Sequence, residues 1–399
     1  MEQGFVPASE LNMRIEKLQR ELARVELDGA LIVGNTDLYY FSGTVPTGFL
    51  YVPCEGKPIL MVRKDFERAR QESALEQVVP LDSMRKLAPT LQEYGYRPQR
   101  LGMELDILPV KDYHRYQSIF GSSSHIEDIS GSIKQQRAVK SDYEIRLTRE
   151  TAAIHRQVFE KIPGLIREGM TDLELSARIE CELRMAGHLG ATRFRGFNLE
   201  LFMGQVLAGE TAAAPSCYDT PLGGKGLSPL FPQGPSGTVI APGRPISVDF
   251  MGNYNGYMVD QTRMYCLGRF PSKLAEAFKV ALEVQQMVEE QAKPGANAAL
   301  IYEQALKIAA GAGLAGHFMG YGQPVSFIGH GVGLEVNELP VLAKGIEIIL
   351  QPGHIFAVEP KFVFPGLGVA GLENTYLVTE TGVEKLTTLP DQVLELPIG

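Results

Sequence analysis

Two aspartates eleven positions apart, Asp249 and Asp260, have the setting in this chain that most calls for chemistry. They lie in Ile246–Gly268, which reads ISVDFMGNYNGYMVDQTRMYCLG. Val248 and Phe250, and then Met264 and Tyr265, give them the apolar flanks of buried strands. Gly252, Asn253, Asn255 and Gly256 supply the turn chemistry of a hairpin. Such a hairpin places the two carboxylates on neighbouring strands. Burying two like charges side by side is costly unless something positive lies between them. A metal centre is the first candidate.

Three further residues belong to the same question. His330 stands in Gly329-His330-Gly331-Val332-Gly333-Leu334, Glu359 in Phe356-Ala357-Val358-Glu359-Pro360, and Glu373 in a strand pattern from Val369 to Val378. Each alone has a bland explanation. A histidine beside glycines is more often a satisfied core or turn residue, and an acid at a strand end is usually solvated. Together, four carboxylates with apolar flanks and one histidine make an oxygen-rich ligand set. That set suits two hard or borderline divalent ions bridged by carboxylates. A structural zinc site would use cysteines in a closed tetrahedron instead. Two ions about 3.5–4 Å apart share a water, lower its pKa and clamp a tetrahedral intermediate. The chemistry implied is hydrolysis of an amide or a similarly polarised bond.

The elements that must position these residues are spread over a chain of 399 residues, long enough for two domains. Hydrophobic content of 44% and charged content of 21% are those of a globular protein. A net charge of −9 without a basic block excludes a nucleic-acid or anionic-membrane partner from the expectation. Four scattered cysteines, Cys54, Cys181, Cys217 and Cys266, and no visible secretory signal point to a reduced, cytoplasmic protein. The strings ALIV, LYYF and ILMV read as core strands too short to span a bilayer.

Residues 1–135 alternate helices and strands and form the expected α/β N-terminal domain. They open on an amphipathic helix marked by Leu11, Ile15, Leu18 and Leu22. Residues 136–399 form the second domain. A long helix runs from Tyr143 to Ile166, breaks at Gly169, and is followed by a helix capped by Thr171 and Glu174. The same unit recurs 126 positions later: a long helix through Leu274 and Val288, a break at Gly295, then a helix capped by Asn297. Residues 140–399 therefore read as two related halves, each a helix pair followed by strands. A Pro/Gly-rich loop from Pro215 to Gly237 interrupts the first half, either as a surface excursion or as a wall of the site.

On these motifs the sequence resembles the pita-bread metallopeptidases, the group of methionine aminopeptidase, aminopeptidase P and prolidase, with metal-free creatinase as a relative. The pattern D-x-G…G-Y-x-x-D-x-T-R, G-H-G-x-G, E-P and a final glutamate is matched in order by Asp249, Asp260, His330, Glu359 and Glu373. The first glycine, Gly252, is displaced by one position. The resemblance implies a creatinase-type N-terminal α/β domain and an α+β pita-bread catalytic domain with pseudo-twofold duplicated halves. It implies two divalent ions, manganese first, with cobalt, zinc or iron accepted by the same set. By resemblance, Asp260 and Glu373 bridge the ions, Asp249 binds one, and His330 and Glu359 bind the other. Glu359 is also the proton shuttle, and Thr262 and Arg263 orient the carboxylates. A homodimer is implied by the two-domain relatives.

The pattern departs at three places. Asn337 stands where the family's H-E-x-P carries histidine; it is assigned a catalytic role as an oxyanion donor, since its amide can donate but cannot supply a proton. The region Leu230–Gln233 lacks the upstream histidine, and Gly371 stands where an arginine is common. The expected function is Xaa-Pro aminopeptidase or Xaa-Pro dipeptidase activity on small peptides. The alternatives are a same-fold hydrolase or lyase acting on another small molecule, and a non-catalytic metal-binding homologue. A creatinase-like metal-free mechanism is disfavoured, because the ligands are present and the histidine it uses is not.

Overall fold

The chain was analysed as a computed structural model, which describes residues 4–121 and 124–398. It divides into two compact units between Arg137 and Ala138, two positions beyond the boundary expected at 135. The first is a six-stranded mixed sheet in the order 77–80, 59–64, 47–53, 29–32, 100–103, 125–128. Leu50 faces Leu60 in its central hairpin. The helix Ala8–Arg24 buries Leu11, Ile15, Leu18 and Leu22.

One expected strand is a helix. LYYF lies within the helix Asn35–Ser42, which starts after the extended Gly34 and stops at Gly43 in the left-handed region (φ 77°). A four-residue apolar run does not distinguish a buried helix from a strand. Here Asp37 in the first turn pairs with Arg137 at 2.7 Å, both side chains buried, and this fixes the helical choice.

The second unit is built twice. Its first helix, Asp142–Phe159, starts with a capping box between Ser141 and Glu144. It ends seven residues before the expected Ile166, because Pro163 has no amide hydrogen to donate to the carbonyl of Phe159. The next helix, Asp172–Met185, carries the expected Thr171–Glu174 capping box. In the other half, Ser272–Gln291 is followed by Ala298–Gly311, where the Asn297 side chain accepts from Ala299 N at 3.0 Å.

The duplication is visible in backbone hydrogen bonds. Gly169 N donates to Ile240 O, and Ile240 N returns to Met170 O; Gly295 N donates to Leu350 O, and Leu350 N returns to Ala296 O. Both glycines sit at positive φ, +80° and +87°, where the break requires a residue free of a Cβ. Nine residues after Ile240 comes Asp249, and nine after Leu350 comes Glu359. The two halves thus place a carboxylate at the same point.

In the first half, Pro245–Asn253 and Met258–Leu267 pair antiparallel, with Met251 opposite Asp260 and Asp249 opposite Thr262. Cross-strand partners share a face, so both aspartates point to the same side of the sheet. In the second half the corresponding hairpin bends at the acids. Ile355–Val358 pairs with Asn374–Val378, and beyond Glu359 and Glu373 the hairpin continues as Lys361–Phe364 paired with Gly368–Gly371. Two large apolar clusters back the hairpins, one under each helix pair. Among the described residues no helix is long and apolar enough to cross a membrane.

Two buried histidines that the sequence did not single out hold the Asp249 strand. His155 Nε2 donates to Phe250 O at 3.0 Å, and His188 Nε2 donates to Met251 O at 3.1 Å. The His155 ring lies against Gly252, where a Cβ would come within 2.9 Å of it. Burial pushes the His155 pKa down to about 3, against about 6.5 in an unfolded chain. Between those values the unfolded state binds the extra proton, so stability is complete above pH 6.5 and falls as the pH drops toward 3. The expected loss is about 1.4 kcal/mol per pH unit from this residue. Thermal unfolding at pH 7, 6 and 5 checks it: His155→Gln should flatten the decline, and an equally steep decline in that variant would exclude His155 as its source.

Candidate functional site

The five expected ligands converge on the floor of one cavity of about 450 Å³. Asp249 and Asp260 come from the first hairpin. His330 comes from the strand Phe327–Gly331, where it faces Ala357. Glu359 and Glu373 sit at the bends of the second hairpin. The His330 Nε2 lies 3.6 Å from Glu359 and 3.7 Å from Glu373. Thr262 Oγ1 donates to Glu373 Oε2 at 2.9 Å, as expected of a residue that orients a carboxylate. Arg263 acts differently: it donates to the backbone oxygen of Glu373 and to Asn374, Leu389, Pro390 and Asp391, and so fixes the strand rather than the carboxylate.

The largest surprise is a lysine. Lys361, 1% exposed, places its Nζ 2.9 Å from Asp249, 2.8 Å from Glu359 and 3.0 Å from Glu373. The counter-charge demanded by the buried acids is supplied in part by the chain itself. A signal for it was available in Val358-Glu359-Pro360-Lys361-Phe362-Val363-Phe364, where one lysine is embedded in an apolar strand. A lysine there must find carboxylates or be left buried and unpaired.

One ammonium does not balance four carboxylates. Burial, with Glu373 and Asp249 beside it, pushes the Asp260 carboxyl well above its ordinary range. Burial also raises Asp249 against the pull of Lys361, and pushes Glu359 up to about 7. At Glu373 the Lys361 and His330 charges overcome burial and hold the carboxyl down to about 2. Burial opposes a charged His330 ring, but the Glu373 and Glu359 carboxylates raise its pKa to about 9. The site still wants positive charge.

Ligand atoms of Asp260, His330 and Glu373 lie within 4.8 Å of one another. Glu373 Oε1 is buried there without a hydrogen-bond partner. An orphaned carboxylate oxygen beside a second carboxylate and an imidazole fits a divalent cation. At the other position expected for an ion, on Asp249 with the bridging Asp260 and Glu373, the Lys361 ammonium already holds Asp249 and Glu373.

The walls come from two loops. Tyr218, Asp219, Thr220 and Gln233 of the Pro215–Gly237 loop line the cavity, so the loop is a wall and not an excursion. Phe231 anchors it, with its ring 5.6 Å from Phe202 and 6.4 Å from Tyr218. Gln233 lies in the neighbourhood where the upstream histidine is missing. The segment 193–202 adds Phe194, Arg195, Glu200 and Phe202, which sequence reasoning did not pick out. Asn337 lines the cavity too, but its amide clasps the backbone of Arg195. Arg195 N donates to Asn337 Oδ1, and Asn337 Nδ2 donates to Arg195 O, both at 2.9 Å. The group expected as an oxyanion donor is thus engaged as a strut. Its neighbour Glu338 is buried against Lys140 at 2.8 Å.

A duplicated α+β unit with carboxylates and one histidine at its pseudo-twofold centre defines a metallohydrolase-type site on the pita-bread fold. The chain belongs to metallopeptidase family M24, whose model matches residues 146–380; the creatinase/prolidase N-terminal domain matches residues 14–139. It is 27% identical over 386 residues to an Xaa-Pro dipeptidase of Pyrococcus furiosus, covering 96% of this chain and 99% of that one. Among solved structures it is similar to an Xaa-Pro dipeptidase from Bacillus anthracis, with TM-score 0.83, 25% identity, and coverage of 97% and 100%. It is also similar to an X-Pro aminopeptidase from Thermotoga maritima, with TM-score 0.80, 25% identity, and coverage of 96% and 99%. The family implies divalent metal ions.

Asn337→Ala removes both clasps on Arg195, each worth about 1 kcal/mol. Trypsin cleavage after Arg193 or Arg195 in the folded protein should become roughly 30-fold faster. An unchanged cleavage rate would show that Asn337 does not hold this segment.

Proposed function

We propose that this protein is a metal-dependent hydrolase of small Xaa-Pro peptides, either a dipeptidase or an aminopeptidase that removes the residue before proline. The observation that carries the reading is the convergence of Asp260, His330 and Glu373 on a buried, orphaned carboxylate oxygen at the floor of the cavity. A divalent ion at that point, manganese first and cobalt, zinc or iron by the same donor chemistry, polarises a carbonyl and acidifies bound water. The names of the relatives support the peptide substrate.

The chain's own residues do the rest. Glu359 projects into the cavity beside His330 and carries the proton between the attacking water and the leaving amine. Thr262 holds Glu373 in place. Arg195, which also lies 3.9 Å from Glu335, together with Glu200 and Asp219 gives the lining both signs of charge, which suits a zwitterionic substrate. The volume is that of an ordinary small-molecule site. Asp249 balances Lys361 and holds it at the floor. A second reading, hydrolysis or lysis of a small non-peptide molecule, is favoured by the use of Asn337 as a strut where the relatives' pattern carries a histidine.

The deciding assay incubates metal-loaded protein with Xaa-Pro dipeptides and longer Xaa-Pro peptides and measures released amino acid. Glu359→Gln should lower kcat by about 10²–10⁴-fold while leaving the bound metal in place. Loaded protein that spares every Xaa-Pro peptide but cleaves a small cyclic or acylated amide would decide for the second reading. A homodimer in the cytoplasm is part of the proposal, and light scattering of the purified chain checks the stoichiometry.

A further inference from the structure

We infer that the Lys361 ammonium permanently takes the place of one of two metal ions, so that this chain holds a single divalent ion on Asp260, His330 and Glu373. The inference rests on the metal-site reading proposed above and narrows it to a count. Two acids that the resemblance gives to a second ion, the terminal Asp249 and the bridging Glu373, already accept from Lys361 Nζ at 2.9 and 3.0 Å, and Glu359 accepts from it at 2.8 Å. An ammonium and a divalent ion compete for the same lone pairs and repel each other across the shared oxygens. The ammonium is tethered and does not dissociate.

The lysine is built into this place rather than resting in it. Its backbone is pinned on one side by Met319 N, which donates to Lys361 O at 2.8 Å. On the other side it faces Gly371 across the hairpin. A Cβ at position 371 would meet the Pro360 carbonyl oxygen at 2.5 Å and Cα and Cγ of Lys361 at 2.8 Å, so the facing backbone and the lysine stem together leave room only for glycine. This accounts for a departure in the sequence that had no explanation, the loss of arginine at position 371. Lys361 and Gly371, facing each other across the hairpin, together deliver one fixed positive charge to the floor of the site.

Charge separates the two halves of the centre. The triad Asp249, Glu359 and Glu373 faces the ammonium, whereas Glu373 Oε1 lies 3.7 Å from His330 Nε2 and has no hydrogen-bond partner. Glu373 therefore accepts from the ammonium on Oε2, and its Oε1 would be the oxygen available to hold the divalent ion. It is the same bridging position the resemblance assigns to it, with one of the ions exchanged for the chain's own ammonium.

The test is metal stoichiometry, independent of turnover. The full chain is stripped with chelator, reloaded with manganese chloride, desalted and analysed by mass spectrometry of the metal, with calorimetric titration alongside. Wild type is expected to hold one manganese per chain, with the EPR spectrum of an isolated ion. Lys361→Met, which keeps the stem and deletes the charge, is expected to hold two, with the signature of a spin-coupled pair. Lys361→Arg should remain at one, and circular dichroism confirms that each variant is folded. Two ions in wild type would overturn the inference and leave the proposed function standing. No ion in wild type or in any variant would overturn both. Should Lys361→Met fail to fold, the wild-type count alone still decides.

Discussion

The structure depends on how four carboxylates are neutralised at the buried floor of one cavity. Asp260, Glu359 and Glu373 are at most 5% exposed, and Asp249 is only partly open to the cavity. Carboxylates brought together at such depth repel one another and lose their hydration, so the pocket is stable only with cations inside it. The chain meets part of that requirement covalently. Lys361 reaches three of the four acids, while the fourth, Asp260, faces His330 and the orphaned oxygen of Glu373. The geometry divides the centre into a half satisfied by the protein and a half that needs an ion.

Duplication is what concentrates the charge. Each half of the second unit contributes one acid nine residues after the position that pairs with its helix break, Ile240 or Leu350, and a second acid on the returning side of the hairpin. A pseudo-twofold arrangement points all four inward, and the core clusters under each helix pair keep the hairpins from spreading. The departures from symmetry are informative. The first hairpin runs straight and keeps Asp249 and Asp260 within regular pairing. The second bends at Glu359-Pro360, where proline withholds a ladder donor, and this bend turns Lys361 back toward the acids.

Much of this was legible in residue order. Apolar flanks around isolated acids, turn residues between them and capping pairs at Thr171 and Asn297 are local signals, and local signals survive folding. The duplication was legible because a helix, a glycine break and a capped helix repeat at fixed spacing. LYYF was misread as a strand because four apolar residues carry no period, and its helical form depends on Asp37 meeting Arg137, a hundred positions away. Lys361 escaped notice for a similar reason. A lysine next to a strand end is ordinarily solvated; the apolar run around it was the one local signal, and its three partners are set by the bend of its own hairpin, which brings Glu359 and Glu373, and by the first half, which brings Asp249.

Asn337 shows how the surroundings of such a site change when one position is reassigned. A histidine there could take part in proton transfer; an asparagine cannot, but it pairs with a backbone amide and carbonyl at once. In this chain it does both to Arg195. The position thereby stops being a reagent and becomes a fixture that sets where the 193–202 segment stands. That segment and the Pro215–Gly237 loop form the cavity walls, so Arg195, Glu200, Tyr218 and Asp219 are held there through Asn337 and the Phe202–Phe231 contact. The walls are thus set by residues outside the acid cluster, while the floor carries the tethered ammonium on Asp249, Glu359 and Glu373, with Asp260 and His330 beside the remaining oxygen of Glu373.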